Sequence, residues 1–146
     1  MTVDVITEIL IKRPVHEVAA YAADPTNAPE WYANIDSIEW KTEPPVAQGS
    51  SVAFVARFLG RRLEYTYDLV ELDPGERLVM RTQQGPCPME TTYTSEATDD
   101  GSTRMTLRNR GEPSGFSKVA AAVMQPAMRR ANRKDLVNIK RILESR

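Results

Sequence analysis

Three tyrosines are the residues of this sequence whose type and spacing best suggest chemistry. Tyr65 and Tyr67 lie two residues apart in an alternating stretch, which puts both on one face of a strand. Tyr93 holds the matching face of a later stretch, together with Met89, Thr91 and Ser95. A phenol can orient a substrate or lend it a proton, but its ordinary pKa of about 10 needs a tuning neighbour. No such neighbour is evident in the sequence. His16, the only histidine, falls in the first turn of a short helix beside Glu17, where exposure to solvent is expected. Cys87, the only cysteine, sits in the turn-like Gly85-Pro86-Cys87-Pro88, so an intrachain disulfide is impossible and a nucleophile would lack a base. No His-x-x-x-His, Cys-x-x-Cys or His/carboxylate cluster offers a metal site. No serine has a histidine partner on an elbow, and Gly49, Gly60 and Gly75 read as turn glycines rather than a phosphate loop. The residues therefore name no catalytic set, no metal and no cofactor.

The elements that must position the tyrosines are strands. Val3, Val5, Thr7, Ile9 and Ile11 alternate with Asp4, Ile6, Glu8 and Leu10 in a first strand. Pro14 opens a short helix carrying Val15, Val18, Ala19 and Ala22. Asn27 and Glu30 form a capping-box pattern for a second, very short helix that carries Trp31 and Tyr32. Six strands follow, over residues 35–41, 51–59, 62–72, 77–84, 89–97 and 103–110. Gly60-Arg61, Asp73-Pro74-Gly75 and Asp100-Gly101 are among the turns between them. Short turns force an antiparallel meander.

A helix over residues 114–144, capped by Ser114 after Pro113, is the one element large enough to cover its apolar face. Phe116, Val119, Ala120, Val123, Met124, Ala127, Met128 and Ala131 recur along that helix at steps of three and four. Small alanines and adaptable methionines on this stripe suggest space beside the helix rather than a tight seam. Pro126 is expected to kink it, by removing the bond to the carbonyl of Ala122.

The fold class read from these elements is α+β. A seven-stranded antiparallel sheet curls around a long C-terminal helix, with two short helices between strands 1 and 2. At 146 residues, 41% hydrophobic and 27% charged, with neither repeats nor a linker, the chain reads as a single domain, 1–146. A net charge of −1 selects neither nucleic acid nor membrane. From Arg129 onward, however, seven basic residues face two acidic ones, a local +5 that leaves −6 elsewhere. A solvated helix face accounts for this; an anionic surface would too. The basic residues lack the interleaved aromatics of a nucleic-acid interface. With no basic-then-apolar leader and no apolar run of about 18 residues, neither a signal peptide nor a membrane span is expected, and the location reads as cytoplasmic.

Several stretches, taken in order, resemble a known family. They are Asp24-Pro25…Pro29-Glu30-Trp31, Leu59-Gly60-Arg61, Glu71-Leu72-Asp73-Pro74, Thr91-Thr92-Tyr93-Thr94 and Asp135-Leu136…Lys140…Leu143-Glu144. The pattern is similar to the START-like (SRPBCC, helix-grip) superfamily, in its polyketide cyclase/dehydrase-type branch, over nearly the whole chain. The resemblance implies a seven-stranded sheet gripping the C-terminal helix, with an internal cavity for hydrophobic small molecules. It does not imply one activity, since the superfamily includes lipid carriers, aromatase/cyclases, hormone receptors and toxins.

The expected cavity wall comprises Phe54, Phe58, Tyr65, Tyr67, Met80, Met89, Thr91, Tyr93, Met105 and Asn109 from the sheet. Phe116, Met124 and Met128 come from the helix, and Trp31 and Tyr32 close one end. Apolar walls with a few hydroxyls and amides describe a ligand pocket, and equally a core with internal hydrogen bonds. Arg57, on the opposite parity, is expected outside, pairing with Glu64 or Asp68. Three readings follow. The first is a carrier or binding module for a hydrophobic or aromatic, lipid- or polyketide-like molecule. The second is a cyclase/dehydratase or aromatase in which a tyrosine orients or protonates the substrate. The third is a regulatory protein acting through the basic helix face.

Overall fold

In a computed structural model, residues 3–58, 60–82, 88–111 and 118–146 are described, with the side chains of Phe58 and of residues 118–121 outside that description. The strands are β1 (Val3–Ile11), β2 (Ile35–Trp40), β3 (Ser51–Phe58), β4 (Arg61–Asp73), β5 (Arg77–Thr82), β6 (Met89–Ala97) and β7 (Thr103–Gly111). The helices are α1 (Val15–Ala23), α2 (Ala28–Trp31) and α3 (Lys118–Glu144). Strands β2 to β7 form the expected meander, and β1 closes on β7, giving the antiparallel order β1-β7-β6-β5-β4-β3-β2.

Strand alternation sets which face is buried. On β1, Val3, Val5 and Ile11 are buried while Ile6 and Leu10 lie half exposed on the outer face. Arg108 on β7 grips Asp4 on β1 through two hydrogen bonds of 2.9 and 2.7 Å. This bond holds the Asp4 carboxyl below its usual range. Helix α3 lies across the concave face, burying Met124, Leu136, Ile139 and Leu143. Its C-terminal end is tied back to the β1–α1 corner. The Arg13 guanidinium donates to the Leu143 carbonyl at 2.7 Å, and the Lys12 amide donates to the Glu144 carboxylate at 2.9 Å.

Several local expectations need correction. The stripe on α3 is rotated and longer than the apolar residues suggested. Val123 is 50% exposed, and the buried face runs from Met124 through Asn132 and Asp135 to Leu143, polar residues included. Pro126, where the kink was expected, lies inside the continuous helix. The proposed cap at Ser114 and the residues Phe116 and Cys87 lie outside the described residues. Asn27 and Glu30 form no capping box, because the chain makes a 3₁₀ turn over Pro25–Asn27 before α2. Instead the Asn27 amide donates to the Tyr21 carbonyl at 3.1 Å, and Glu30 accepts the Tyr21 hydroxyl at 2.7 Å. The β3–β4 turn sits one residue earlier than Gly60-Arg61, since Phe58 pairs with Arg61, and Gly60 supplies the positive φ of +75°. Arg57 is exposed as expected but pairs with Asp36 at 3.0 Å, not with Glu64 or Asp68. Its direct partner on β4 is Arg62, and a bulge in β2 between Ile35 and Ser37 presents Asp36 instead.

Candidate functional site

The concave sheet and the middle of α3 line a cavity of about 130 Å³. That is the scale of an engineered apolar cavity, roughly 150 Å³, that holds one benzene. Phe54, Tyr65 and Tyr67 build one wall, because β3 and β4 pair Phe54 directly with Tyr65 and the pleat brings Tyr67 to the same face. Phe54 stacks parallel to Tyr65 with ring centroids 5.9 Å apart, and Tyr67 stands edge-on to both, at 5.3 and 5.2 Å. Met124 and Met128 supply the helix side, and Tyr32 and Ile35 close the end.

A line of polar side chains crosses this apolar surface from sheet to helix. The Tyr67 hydroxyl bonds the Thr91 hydroxyl at 2.8 Å. The Asn109 amide donates to the same Thr91 oxygen at 2.7 Å, and the Asn132 amide donates to the Asn109 carbonyl oxygen at 2.6 Å. All four side chains line the cavity. Thr91 and Asn132 are almost fully buried, so the bonds also satisfy groups that would be costly to leave unpaired.

One turn along α3 from Asn132, Asp135 also lines the cavity and is only 2% exposed. Its carboxylate accepts the Ala33 backbone N–H at 2.8 Å, fixing α3 to the α2–β2 connection. Burial pushes this carboxyl up to about 7, because one N–H bond does not offset the lost hydration of the anion. The tyrosines move the other way from useful acidity. Burial raises Tyr32, Tyr65 and Tyr93 well above the ordinary phenol value. They stay protonated and serve as hydrogen-bonding groups. Tyr32 and Tyr93 bond each other through their hydroxyls.

Of the wall expected from sequence, Tyr32, Phe54, Tyr65, Tyr67, Met89, Thr91, Asn109, Met124 and Met128 meet at the cavity. Trp31, Met80, Tyr93 and Met105 are buried beside it and are not part of its lining. Trp31 packs on Tyr32 at 4.2 Å and on Tyr93 at 5.5 Å, and its indole nitrogen has no hydrogen-bond partner among the described residues. The Phe58 side chain and Phe116 lie outside the described residues. Sequence reasoning missed Asn132 and Asp135. The signal was present: both continue the Met124 and Met128 face at helical spacing, so a polar residue there had to be inside. His16 is exposed, and among the described residues no group of three or more His, Cys, Asp or Glu side chains is placed to hold a metal ion. No described helix is long and apolar enough to cross a membrane.

Known proteins share this fold. The family described as "Polyketide cyclase / dehydrase and lipid transport" matches residues 2–144. The Zhui aromatase/cyclase of Streptomyces sp. R1128 superposes with a TM-score of 0.82 at 16% identity, covering 99% of this chain and 94% of that one. A protein from Thermus thermophilus also reaches 0.82, at 18% identity over 97% of this chain and 98% of its own. A START superfamily protein from Mycobacterium smegmatis reaches 0.73 at 13% identity, covering 97% and 94%. These identities establish likeness of fold. No curated protein matches the sequence.

Proposed function

Because the chain belongs to the polyketide cyclase/dehydrase and lipid transport family, we propose that its cavity binds a hydrophobic or aromatic small molecule, lipid- or polyketide-like, that carries at least one oxygen. The observation behind this reading is the line Tyr67–Thr91–Asn109–Asn132 across a largely apolar wall. Apolar walls give affinity, and a few fixed polar groups give orientation. A ligand longer than one ring needs Met124 and Met128 to move, which unbranched side chains do readily. The protein acts in the cytoplasm and needs no metal or nucleic acid in this reading.

The test is a thermal-shift screen with fatty acids, sterols and aromatic polyketides. A ligand at 100 times its Kd adds about 2.7 kcal/mol to the stability of the native state, a shift of several degrees. Tyr67→Phe is expected to weaken a responding ligand roughly 3- to 10-fold, the worth of one hydrogen bond. An unchanged affinity would remove the polar line from the recognition.

Asp135 favours a second reading, a cyclase or dehydratase using the same cavity. A buried carboxyl with a pKa near 7 both accepts and donates protons at neutral pH. Turnover that Asp135→Asn abolishes while ligand affinity persists would select the enzyme over the carrier.

A further inference from the structure

The outer face of α3 carries a pattern that neither the cavity nor the core explains. Val123, Arg130, Arg133, Lys134, Val137 and Arg141 fall on one side of the helix by their spacing, and all six are exposed. No carboxylate shares that side. Asp135 is buried at the cavity, and Glu144 is held by Lys140 at 2.6 Å, the only ion pair within α3 among the described residues. Like charges three and four residues apart repel, as Arg130 does with Arg133 and Lys134. A face needed only for solubility gains from mixed signs, and this one has a single sign.

Its chemistry matches an anionic lipid surface. Val123 and Val137 are 50% and 55% exposed, four helical turns apart, with the cations between and beside them. On a bilayer, such valines enter the headgroup boundary while arginine and lysine meet the phosphates. The rest of the chain, at a net −6, is repelled by the same surface, which leaves α3 as the face that lands. The position of this face also suits a lipid partner. Asn34 and Ala131 line both the cavity under α3 and a recess on its outer side, which Val123, Arg130 and Lys134 border. The two spaces adjoin between α3 and the α2–β2 connection, so an apolar molecule exchanged there would pass from bilayer to cavity without crossing water.

We propose that the outer face of α3 docks this protein on an anionic bilayer, with the border between cavity and recess turned toward the lipid. The docking rests on charge and exposed apolar area; only the exchange route depends on the cavity's binding a small molecule.

Co-sedimentation with vesicles tests the docking. Binding is expected to phosphatidylcholine vesicles containing about 30% phosphatidylglycerol and not to phosphatidylcholine alone. It is expected to fall steeply as salt rises from about 0.05 M to about 0.5 M. A basic residue near such a surface is worth about fivefold in affinity, so Arg130→Gln, Arg133→Gln and Lys134→Gln together are expected to cost roughly 100-fold. Val123→Ser with Val137→Ser is expected to cost about 3- to 10-fold at unchanged salt dependence, and it tests the apolar half of the surface independently. All five side chains are exposed, so both variants keep the fold. No binding to the anionic vesicles at low salt, or equal binding by the triple variant, overturns the proposal. Binding to soluble poly-glutamate but not to vesicles also overturns it, and assigns the face to an acidic protein. The vesicles carry no ligand for the cavity, so failure to dock does not pass for failure of the cavity to bind.

Discussion

Asp135→Asn is expected to make the protein more stable at pH 8 and to give no gain at pH 4. In the folded chain the carboxyl titrates at about 7, against an ordinary 3.8 once unfolded. Below the unfolded value the group is neutral in both states and costs nothing. As pH rises through the folded value, the native state must carry a buried anion, and stability falls. Three pKa units correspond to about 4 kcal/mol. Asparagine keeps the oxygen that accepts the Ala33 N–H but adds an amide with its own burial cost, of about 1–3 kcal/mol. The net gain at pH 8 is therefore about 1–3 kcal/mol, shrinking steadily toward pH 4. Urea unfolding of both proteins at pH 4, 6 and 8 measures it. A difference that does not vary with pH would mean that Asp135 is already hydrated or paired in the native state.

Trp31→Ala should have the opposite sign and a larger size. Trp31 is 1% exposed and wedged between Tyr32 and Tyr93. Truncating a buried tryptophan costs about 3–5 kcal/mol, from lost burial and from the void left behind. The variant also loses the packing that holds the Tyr32–Tyr93 pair. Equilibrium unfolding is expected to show the full loss. A loss below about 1 kcal/mol would mean that α2 is loosely attached.

The period-2 alternation made the sheet legible. Parity alone put Phe54, Tyr65, Tyr67, Thr91 and Asn109 on the inner face, and the short turns dictated the meander. Parity does not say how far along each strand the helix reaches. Met80, Tyr93 and Met105 therefore went to the cavity wall although they are buried beside it. Asp135 was hidden by its neighbours, because a carboxylate among Arg133, Lys134 and Lys140 reads as the counter-charge of a solvated face. Only the continuation of the Met124–Met128 face places it inside. The Arg57–Asp36 pair depends on a bulge in β2, and the roles of Asn27 and Glu30 depend on a 3₁₀ turn. Both are backbone irregularities that residue spacing does not encode. The basic residues Arg130, Arg133 and Lys134 do lie on an outer face of α3, as their charge suggested.

The central claim, that the cavity under α3 binds an apolar small molecule, is tested most directly by native mass spectrometry. The purified protein would be measured as isolated and after incubation with the fatty acids, sterols and aromatic polyketides of the thermal screen. Ala131→Trp, which fills the cavity from α3, is the control. A non-covalent adduct is expected on the wild type and is expected to be lost in Ala131→Trp. A bare protein mass under every condition, or an adduct that Ala131→Trp retains unchanged, would contradict it.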